Sequence, residues 1–195
     1  MLIRQLPLGT MRNFGYAIVD EDARVAAVID PSFDGAPLEA AVRAASARLE
    51  LVLVTHGHRD HVADAERMAR SSGARLAAHT SSPLPKDVAL ADGGVLQVGG
   101  LELRVLHTPG HTPDSCCFLV GKALFTGDTL FVGECGRVDL PESGVAAMHH
   151  SLLSVLRALP DDLVVYPGHD YGPTPTATLG QGPPARKRPA FACQS

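Results

Sequence analysis

The segment Thr55–His61 concentrates the residue types that bind metal ions in proteins. It reads Thr-His-Gly-His-Arg-Asp-His and so carries three imidazoles and one carboxylate within seven residues. It follows Leu51–Val54, an apolar run rich in Leu and Val that is too short for a helix and predicts a buried strand. Such a loop lies at the carboxyl end of a strand, where α/β proteins usually place their chemistry. Because surface loops seldom collect donors at this density, we interpret the segment as a metal-binding loop.

The spacing of these donors predicts two groups of ligands. Alternate residues of an extended chain point to opposite faces, so His56 and His58 can converge on one ion only if the loop curls. Gly57 would allow that curl. Asp60 and His61 would then lie on its far side, where they could bind a second ion.

Three later positions, His111, Asp128 and His169, are further candidate ligands. His111 lies within Thr108–Pro113, where two prolines and a glycine would fix its direction. Asp128 and His169 each follow a predicted apolar strand closely, where a carboxylate is also a common turn former. One carboxylate can hold two cations ~3.5–4 Å apart, which is the spacing of two-metal hydrolases.

The remaining pattern predicts a mixed α/β chain. Strands are predicted at Phe14–Val19, Val25–Ile29, Arg75–His79, Val95–Val98, Leu101–Leu106, Ser115–Val120, Ala123–Thr126 and Leu163–Tyr166. Helices are predicted at Pro37–Leu49, Ala63–Ser71 and Gly144–Leu159.

Length and composition restrict the class of protein. A chain of 195 residues with 45% hydrophobic residues fits one domain with a sizeable core, which we place at residues 1–179. Residues 180–195 carry three basic residues and no acids, so we expect a disordered or loosely packed tail. The net charge of −4 argues against a nucleic-acid partner.

The sequence also contains no feature of an exported or membrane protein. No run approaches the ~20 apolar residues of a membrane span, and the N-terminus lacks a signal-peptide pattern. Cys116 and Cys117 are adjacent in a predicted strand, which makes a disulfide framework improbable. We therefore expect a cytoplasmic protein without a membrane partner.

The motif His-x-His-x-Asp-His in Thr55–His61 resembles the signature of the metallo-β-lactamase superfamily. This resemblance implies a four-layer αββα sandwich with the ligand loops along one edge. In that superfamily an Asp at the position of Asp30 supports the metal loop. A strand-ending turn residue is an equally good interpretation of Asp30.

The resemblance also implies a complete set of metal ligands. The first ion would be bound by His56, His58 and His111, the second by Asp60, His61 and His169, and both by Asp128. Asp60 and Asp128 would in addition be catalytic. The implied cofactors are two divalent ions, with zinc favoured over iron or manganese, which would provide a metal-bound hydroxide at neutral pH.

Within the superfamily, the chain most resembles short glyoxalase II (hydroxyacylglutathione hydrolase) proteins. The resemblance is carried by Gly127–Phe131 and Cys135–Arg137. It implies a hydrolase acting on thioesters of the hydroxyacylglutathione type, so the expected partner is a small molecule that contains glutathione. Arg137 and Tyr171 match residues that contact glutathione in that branch, and an Arg suits a carboxylate.

Two departures leave a second function open. From its length we expect the chain to lack the helical C-terminal domain of glyoxalase II, and Asp139 stands where that enzyme has a second tyrosine. Both features resemble the persulfide dioxygenases, which share the Gly-Arg-x-Asp pattern of Gly136–Asp139 and the ending His169–Tyr171. That branch uses a single iron, held at the positions matching the ligands His56, His111 and Asp128, and oxidises glutathione persulfide.

Overall fold

A computed structural model describes residues 1–181 and contains two six-stranded sheets. The first sheet has its strands in sequence order: β1 Leu2–Leu8, β2 Asn13–Asp20, β3 Val25–Ile29, β4 Arg48–Leu53, β5 Arg75–His79 and β6 Val88–Leu90. The second sheet has the order β12–β11–β10–β9–β8–β7: Ala177–Thr178, Val164–Pro167, Ala123–Gly127, Cys116–Val120, Leu101–His107 and Val95–Val98. Apart from Gly180 and Gln181, the predicted tail 180–195 lies outside the described residues.

The helical segments lie on the outer faces of the sheets. They are α1 Ala36–Ala44, α2 Arg59–Val62, α3 Ala65–Ser72 and α4 Val145–His150, followed by a π-helical turn Ser151–Val155 and 3₁₀ turns Leu156–Ala158 and Leu179–Gln181. None of the helices within residues 1–181 is long and apolar enough to cross a bilayer.

Alternation of side chains along the strands divides the core into three layers. Ile18 of β2 faces Phe118 and Phe125 of the second sheet, so these residues lie between the sheets. The neighbouring positions of β2 turn the other way and pack with Leu38 and Val42 of α1. A third layer lies between the second sheet and the segment that begins with α4. The structure therefore confirms the α/β fold class and the predicted four-layer αββα sandwich.

One predicted helix is too long, because a turn interrupts the apolar pattern. The prediction extended the helix Pro37–Leu49, but α1 ends at Ala44. Ser46 has a φ of 53°, a conformation that non-glycine residues rarely adopt, and it redirects the chain into β4. Leu49 is therefore a strand residue that still packs in the layer below α1.

The structure also differs from the prediction in the winding of one helix and in three strands that were not predicted. The stripe predicted as one helix over Gly144–Leu159 is helical throughout 145–158 but changes from α to π to 3₁₀ winding. It still directs Met148, Leu152 and Leu156 into the core, as the stripe indicates. The sequence interpretation missed three strands, β1, β6 and β12, of which the last two are only three and two residues long.

The carboxyl ends of several strands meet at one edge of the sandwich. Strands β10 and β11 are parallel, and β8 runs in the same direction because β9 lies antiparallel to both β8 and β10. The loop after β4 joins this edge where Thr55 accepts a 2.8 Å hydrogen bond from the Cys116 amide. This edge therefore brings together the loops that carry the predicted ligands.

Candidate metal centre

The metal-binding loop Thr55–His61 begins in the five residues between β4 and α2 and ends within α2. Asp60 and His61 lie in the short helix α2, whose first backbone hydrogen bonds run to the His58 carbonyl. This helix turns the second pair of ligands away from the first, as the spacing predicts. The loop curls at Gly57 and brings His56 and His58 together, although Gly57 does so without a positive φ. A Cβ there would lie 3.1 Å from the Asp114 carboxylate.

Three histidines form what we call the first cluster: His56, His58 and His111. The Nδ1 atom of His58 lies 3.2 Å from Nε2 of His56 and 2.9 Å from Nε2 of His111. One nitrogen from each ring therefore points to a common centre, with the three atoms within 4.8 Å of one another. This is the geometry of a facial set of imidazole ligands.

Three further residues form the second cluster: Asp60, His61 and His169. Nε2 of His61 lies 3.2 Å from Nε2 of His169, and the Oδ2 atom of Asp60 lies 3.5 and 3.4 Å from those two nitrogens. The three ligand atoms again lie within 4.8 Å of one another.

Asp128 lies between the two clusters. Its Oδ2 atom is 3.5 Å from Nε2 of His111 and 3.3 Å from Nε2 of His169, while its Oδ1 atom is 3.4 Å from Nε2 of His61. Gly168 makes this approach possible, because a Cβ there would lie 2.4 Å from the same Oδ1 atom. One carboxylate thus faces ligands from both sets, which is the arrangement required of a bridge between two cations.

Each of the five histidines is fixed through the nitrogen that points away from the centre. His56 uses Nδ1 to bond the Thr55 hydroxyl at 3.1 Å, and His58 uses Nε2 to bond the Glu142 carboxylate at 2.9 Å. Nδ1 of His111 donates to the Arg137 carbonyl, Nδ1 of His169 donates to the Met11 carbonyl, and Nδ1 of His61 faces Asp30. Such contacts fix ring orientation and leave the inner nitrogen free for a metal.

Asp30 combines the two roles that the sequence left open. It ends β3 with a φ of 50°, as a turn residue would, and it is 2% exposed. Its Oδ1 atom accepts the Thr55 amide at 2.8 Å, and its Oδ2 atom accepts the Thr55 hydroxyl at 2.6 Å and bonds Nδ1 of His61 at 2.9 Å. Asp30 thus connects both clusters to β3.

The protonation of the histidines differs between the clusters. Burial lowers the pKa values of His56 and His111, which favours the neutral form that binds metals. Burial also acts on His169, but hydrogen bonds with Asp128 and Asp60 outweigh it and raise the pKa of His169 to about 10. The pKa of His61 is raised too, because the charges of Asp128 and Asp30 oppose the effect of burial.

The carboxylates of the centre remain ionised. Burial alone would raise the pKa of Asp128, but the charge of His61 and the hydrogen bond with His169 hold it far below its usual value. The pKa of Asp60 is likewise lowered, against the effect of burial, by His169, His61 and Asn13. Two ionised, largely buried carboxylates beside five imidazoles form a donor set suited to divalent cations.

An unpartnered oxygen supports the same conclusion. The Oδ1 atom of Asp128 is fully buried and has no hydrogen-bond partner among the described residues. A buried carboxylate oxygen normally has a hydrogen-bond donor or a metal ion as its partner, because an unsatisfied polar atom is costly to bury. The residues present therefore fit two divalent ions, with Asp128 as the shared ligand.

The two predicted substrate contacts lie at different places on the rim. Tyr171 stacks on His169, with ring centroids 4.6 Å apart and nearly parallel planes, beside Phe131. Arg137 donates two hydrogen bonds to the Asp139 carboxylate, at 2.6 and 2.7 Å. Tyr171 is thus held beside the second cluster, while much of the hydrogen-bonding capacity of Arg137 is already used.

Sequence reasoning missed two side chains that contact ligands directly. Asn13 is buried and donates to the Oδ2 atom of Asp60 at 2.9 Å, and Glu142 bonds His58. Asn13 stands at the start of a strand that the sequence did indicate, so a polar residue before an apolar run was the available signal. Glu142 lies in a loop whose sequence gives no such signal.

The chain belongs to the metallo-beta-lactamase superfamily, which it matches over residues 12–82 and 78–169. Members of this superfamily bind divalent metal ions. The match covers the metal loop, His111, Asp128 and His169.

The relatives fall into more than one branch of the superfamily. A hydroxyacylglutathione hydrolase of Rhodopseudomonas palustris strain HaA2 is 45% identical over 164 residues, which are 82% of this chain and 63% of the relative. The crystal structure of ETHE1 from Myxococcus xanthus has a TM-score of 0.91 at 33% identity and covers 98% of this chain and 85% of that one. TTHA1623 in a di-iron-bound form has a TM-score of 0.78 at 28% identity, covering 95% and 98% of the two chains. The chain thus spans less than two thirds of the length of its curated hydrolase relative.

Proposed function

We propose that this protein is a metal-dependent hydrolase that cleaves thioesters of the hydroxyacylglutathione type. The position of Asp128 carries the proposal, because its carboxylate faces His111 on one side and His61 and His169 on the other. The single-iron alternative has the same ligand residues, so metal content is the measurement that separates the two. The 45% identity with a hydroxyacylglutathione hydrolase supports the choice of thioester.

The two ions, for which zinc is favoured over iron or manganese, would be held by the two clusters and shared by Asp128. When bound, they would lower the pKa of a coordinated water to about 7, so that hydroxide is available at neutral pH. TTHA1623, at 28% identity, is known in a di-iron-bound form, which supports a site for two ions.

Side chains of the two clusters and the rim would orient the attacking water and the substrate. Asp60 stays ionised, and Asn13 fixes its Oδ2 atom, so this carboxylate can orient a water molecule through a hydrogen bond. Asp128 is fixed by its contacts with three histidines. Tyr171 and Arg137 remain our predicted contacts for the substrate, on the rim outside the ligands. No serine or cysteine nucleophile is needed for this reaction.

A second candidate function is a persulfide dioxygenase that uses one iron bound by His56, His111 and Asp128. It is favoured by the similarity to ETHE1, a persulfide dioxygenase, which extends over 98% of this chain. Arg137 and Asp139 are the charged residues of the Gly-Arg-x-Asp pattern that this chain shares with that branch, and they form an ion pair. The reaction would be oxidation of glutathione persulfide with oxygen.

Metal content and two activity assays distinguish the candidates. The protein is purified without added metal and analysed for zinc, iron and manganese, then assayed for thioester hydrolysis and for oxygen uptake on glutathione persulfide. We expect about two ions per chain, thioester turnover and no oxygen uptake. One iron per chain with stoichiometric oxygen uptake would establish the dioxygenase instead.

His169→Ala provides an independent test, because His169 is a ligand only in the two-ion proposal. We expect this variant to keep one ion and to lose thioester turnover at least about a hundredfold. His150→Ala, on the exposed surface of α4, is the matched control and should behave like the wild type. Retention of full activity in His169→Ala would contradict the two-ion mechanism.

A further inference from the structure

The turn between β1 and β2 forms part of the rim of the second cluster. Its residue Met11 accepts the hydrogen bond from Nδ1 of His169, and the Arg12 carbonyl accepts the Asp170 amide at 2.8 Å. The Phe14 amide also donates to the Gly168 carbonyl at 2.8 Å. This turn is therefore fixed against the loop that carries the last ligand.

Arg12 projects from this turn beside Tyr171. Its guanidinium carbon lies 5.7 Å from the centre of the Tyr171 ring, which itself stacks on His169. Its φ is 60°, in a region where a non-glycine residue is uncommon and where strain often accompanies function. An arginine is thus held near the metal centre at a position that glycine would occupy with less strain.

Arg12 and Asp170 form an open pair of opposite charges. Their closest atoms, Nη2 and Oδ2, are 3.6 Å apart, and the two side chains are 59% and 45% exposed. A loose, exposed pair of this kind contributes little to stability, because solvent screens both charges. Its donors and acceptors therefore remain available to a ligand.

The other arginine on the rim is less available. Arg137 engages the Asp139 carboxylate through Nε and Nη2, which is the two-point geometry that makes such pairs strong. A substrate carboxylate would have to compete with that contact. At Arg12 a substrate carboxylate would compete only with the 3.6 Å contact between Arg12 and Asp170.

From these contacts we infer that Arg12 and Asp170 together bind the α-amino-acid end of a γ-glutamyl thiol substrate. That end carries a carboxylate and an ammonium group on the same carbon. The carboxylate would pair with Arg12 and the ammonium group with the adjacent Asp170. The inference rests on the proposed function, since it assumes a glutathione substrate whose sulfur lies at the metal centre. A tripeptide can span roughly 10 Å, which suits a path over Tyr171.

Binding of non-hydrolysable thioethers tests this inference without turnover. Calorimetry on zinc-loaded protein would compare S-hexylglutathione with S-hexylcysteinylglycine, which lacks the γ-glutamyl group. We expect Arg12→Gln and Asp170→Asn each to weaken binding of the first ligand about tenfold and to leave the second unchanged. Arg12→Lys, which keeps the charge, should retain most of the affinity. The zinc content of each variant is measured to exclude loss of metal.

Arg24→Gln is the matched control. Arg24 is also exposed in a hairpin turn at positive φ, 55°, but it lies at the opposite end of β2 from the metal centre. It should bind both ligands as the wild type does.

Three outcomes would overturn the inference. They are equal binding of S-hexylglutathione by the wild type and Arg12→Gln, an equal loss for both ligands, and no measurable binding to the wild type. If the wild type binds S-hexylglutathione through Arg12 but hydrolyses no glutathione thioester, the proposed hydrolase fails while the γ-glutamyl site stands.

Discussion

In the first cluster, His58 is 28% exposed and bonds a glutamate that is itself 42% exposed, whereas in the second cluster His61 is fully buried against the buried Asp30. The pKa shifts follow the same division. Those of His56 and His111 are lowered, and those of His61 and His169 are raised. The first cluster is thus ready to bind a cation at neutral pH, whereas the second holds protons that a cation must displace.

This difference shows how one motif can create two unequal sites. The residues His56–His61 contribute to both clusters, but the surroundings of each come from other parts of the chain. The second cluster is supported by β2, β3 and the turn after β1, through Asn13, Asp30 and Met11. The first cluster shares Asp30 only through Thr55, and its other supports, Arg137 and Glu142, come from the loop between β10 and α4.

The largest expected effect comes from removing Asp30. Asp30→Ala would leave the Thr55 amide and hydroxyl and Nδ1 of His61 without their buried acceptor. We expect the free energy of unfolding of the metal-free protein to fall by about 3 kcal/mol or more, together with loss of the second ion. Urea denaturation and metal analysis measure the two effects.

Asp22→Ala is the control for this substitution, because Asp22 lies in an exposed hairpin turn. Its unfolding free energy should stay within about 0.5 kcal/mol of the wild type. An equally small change in Asp30→Ala would mean that Asp30 does not support the second cluster.

Lowering the pH should empty the second cluster before the first. His169, with its pKa raised to about 10 in the metal-free protein, is protonated at neutral pH and must lose a proton to bind a cation. Zinc affinity at the second cluster should therefore fall about tenfold for each pH unit below neutrality. His56 and His111 have lowered pKa values, so they are already neutral and the first cluster should respond less.

Equilibrium dialysis at several pH values measures this difference. We expect close to two zinc ions per chain at about pH 8 and close to one at about pH 6 when free zinc is buffered between the two affinities. Calorimetry in buffers of different ionisation enthalpy should detect proton release with the second ion. A parallel loss of both ions would contradict the division between the clusters.

Candidate ligands are easier to propose from the sequence than the groups that support them. Metal ligands need particular residue types at short spacing, so Thr55–His61 could be interpreted without a structure. Apolar runs predicted most of the strands, and the family resemblance implied the sandwich in which they are arranged. Asp30 was recognised only as one of two alternatives, since its contact with His61 spans 31 positions. Most supports of the candidate ligands depend on backbone carbonyls and long-range contacts, which leave little pattern in the sequence.

Glu142 is such a support, and it gives the smallest expected effect. Its Oε1 atom accepts the hydrogen bond from Nε2 of His58, which leaves Nδ1 directed at the first cluster. Glu142→Ala should weaken zinc binding at the first cluster about tenfold, because the ring loses its fixed orientation. Glu142→Gln retains an oxygen acceptor and should lie within about threefold of the wild type.

Chelator competition at about pH 6, where we expect only the first cluster to be loaded, isolates this effect. Glu66→Ala, at an exposed position of α3, is the control and should bind zinc as the wild type does. Equal affinity in Glu142→Ala and the wild type would show that His56 and His111 orient His58 without help. The first cluster would then need no support from Glu142, and its difference from the second cluster, in which Asp30 bonds the ligand His61 directly, would be larger than the hydrogen bonds suggest.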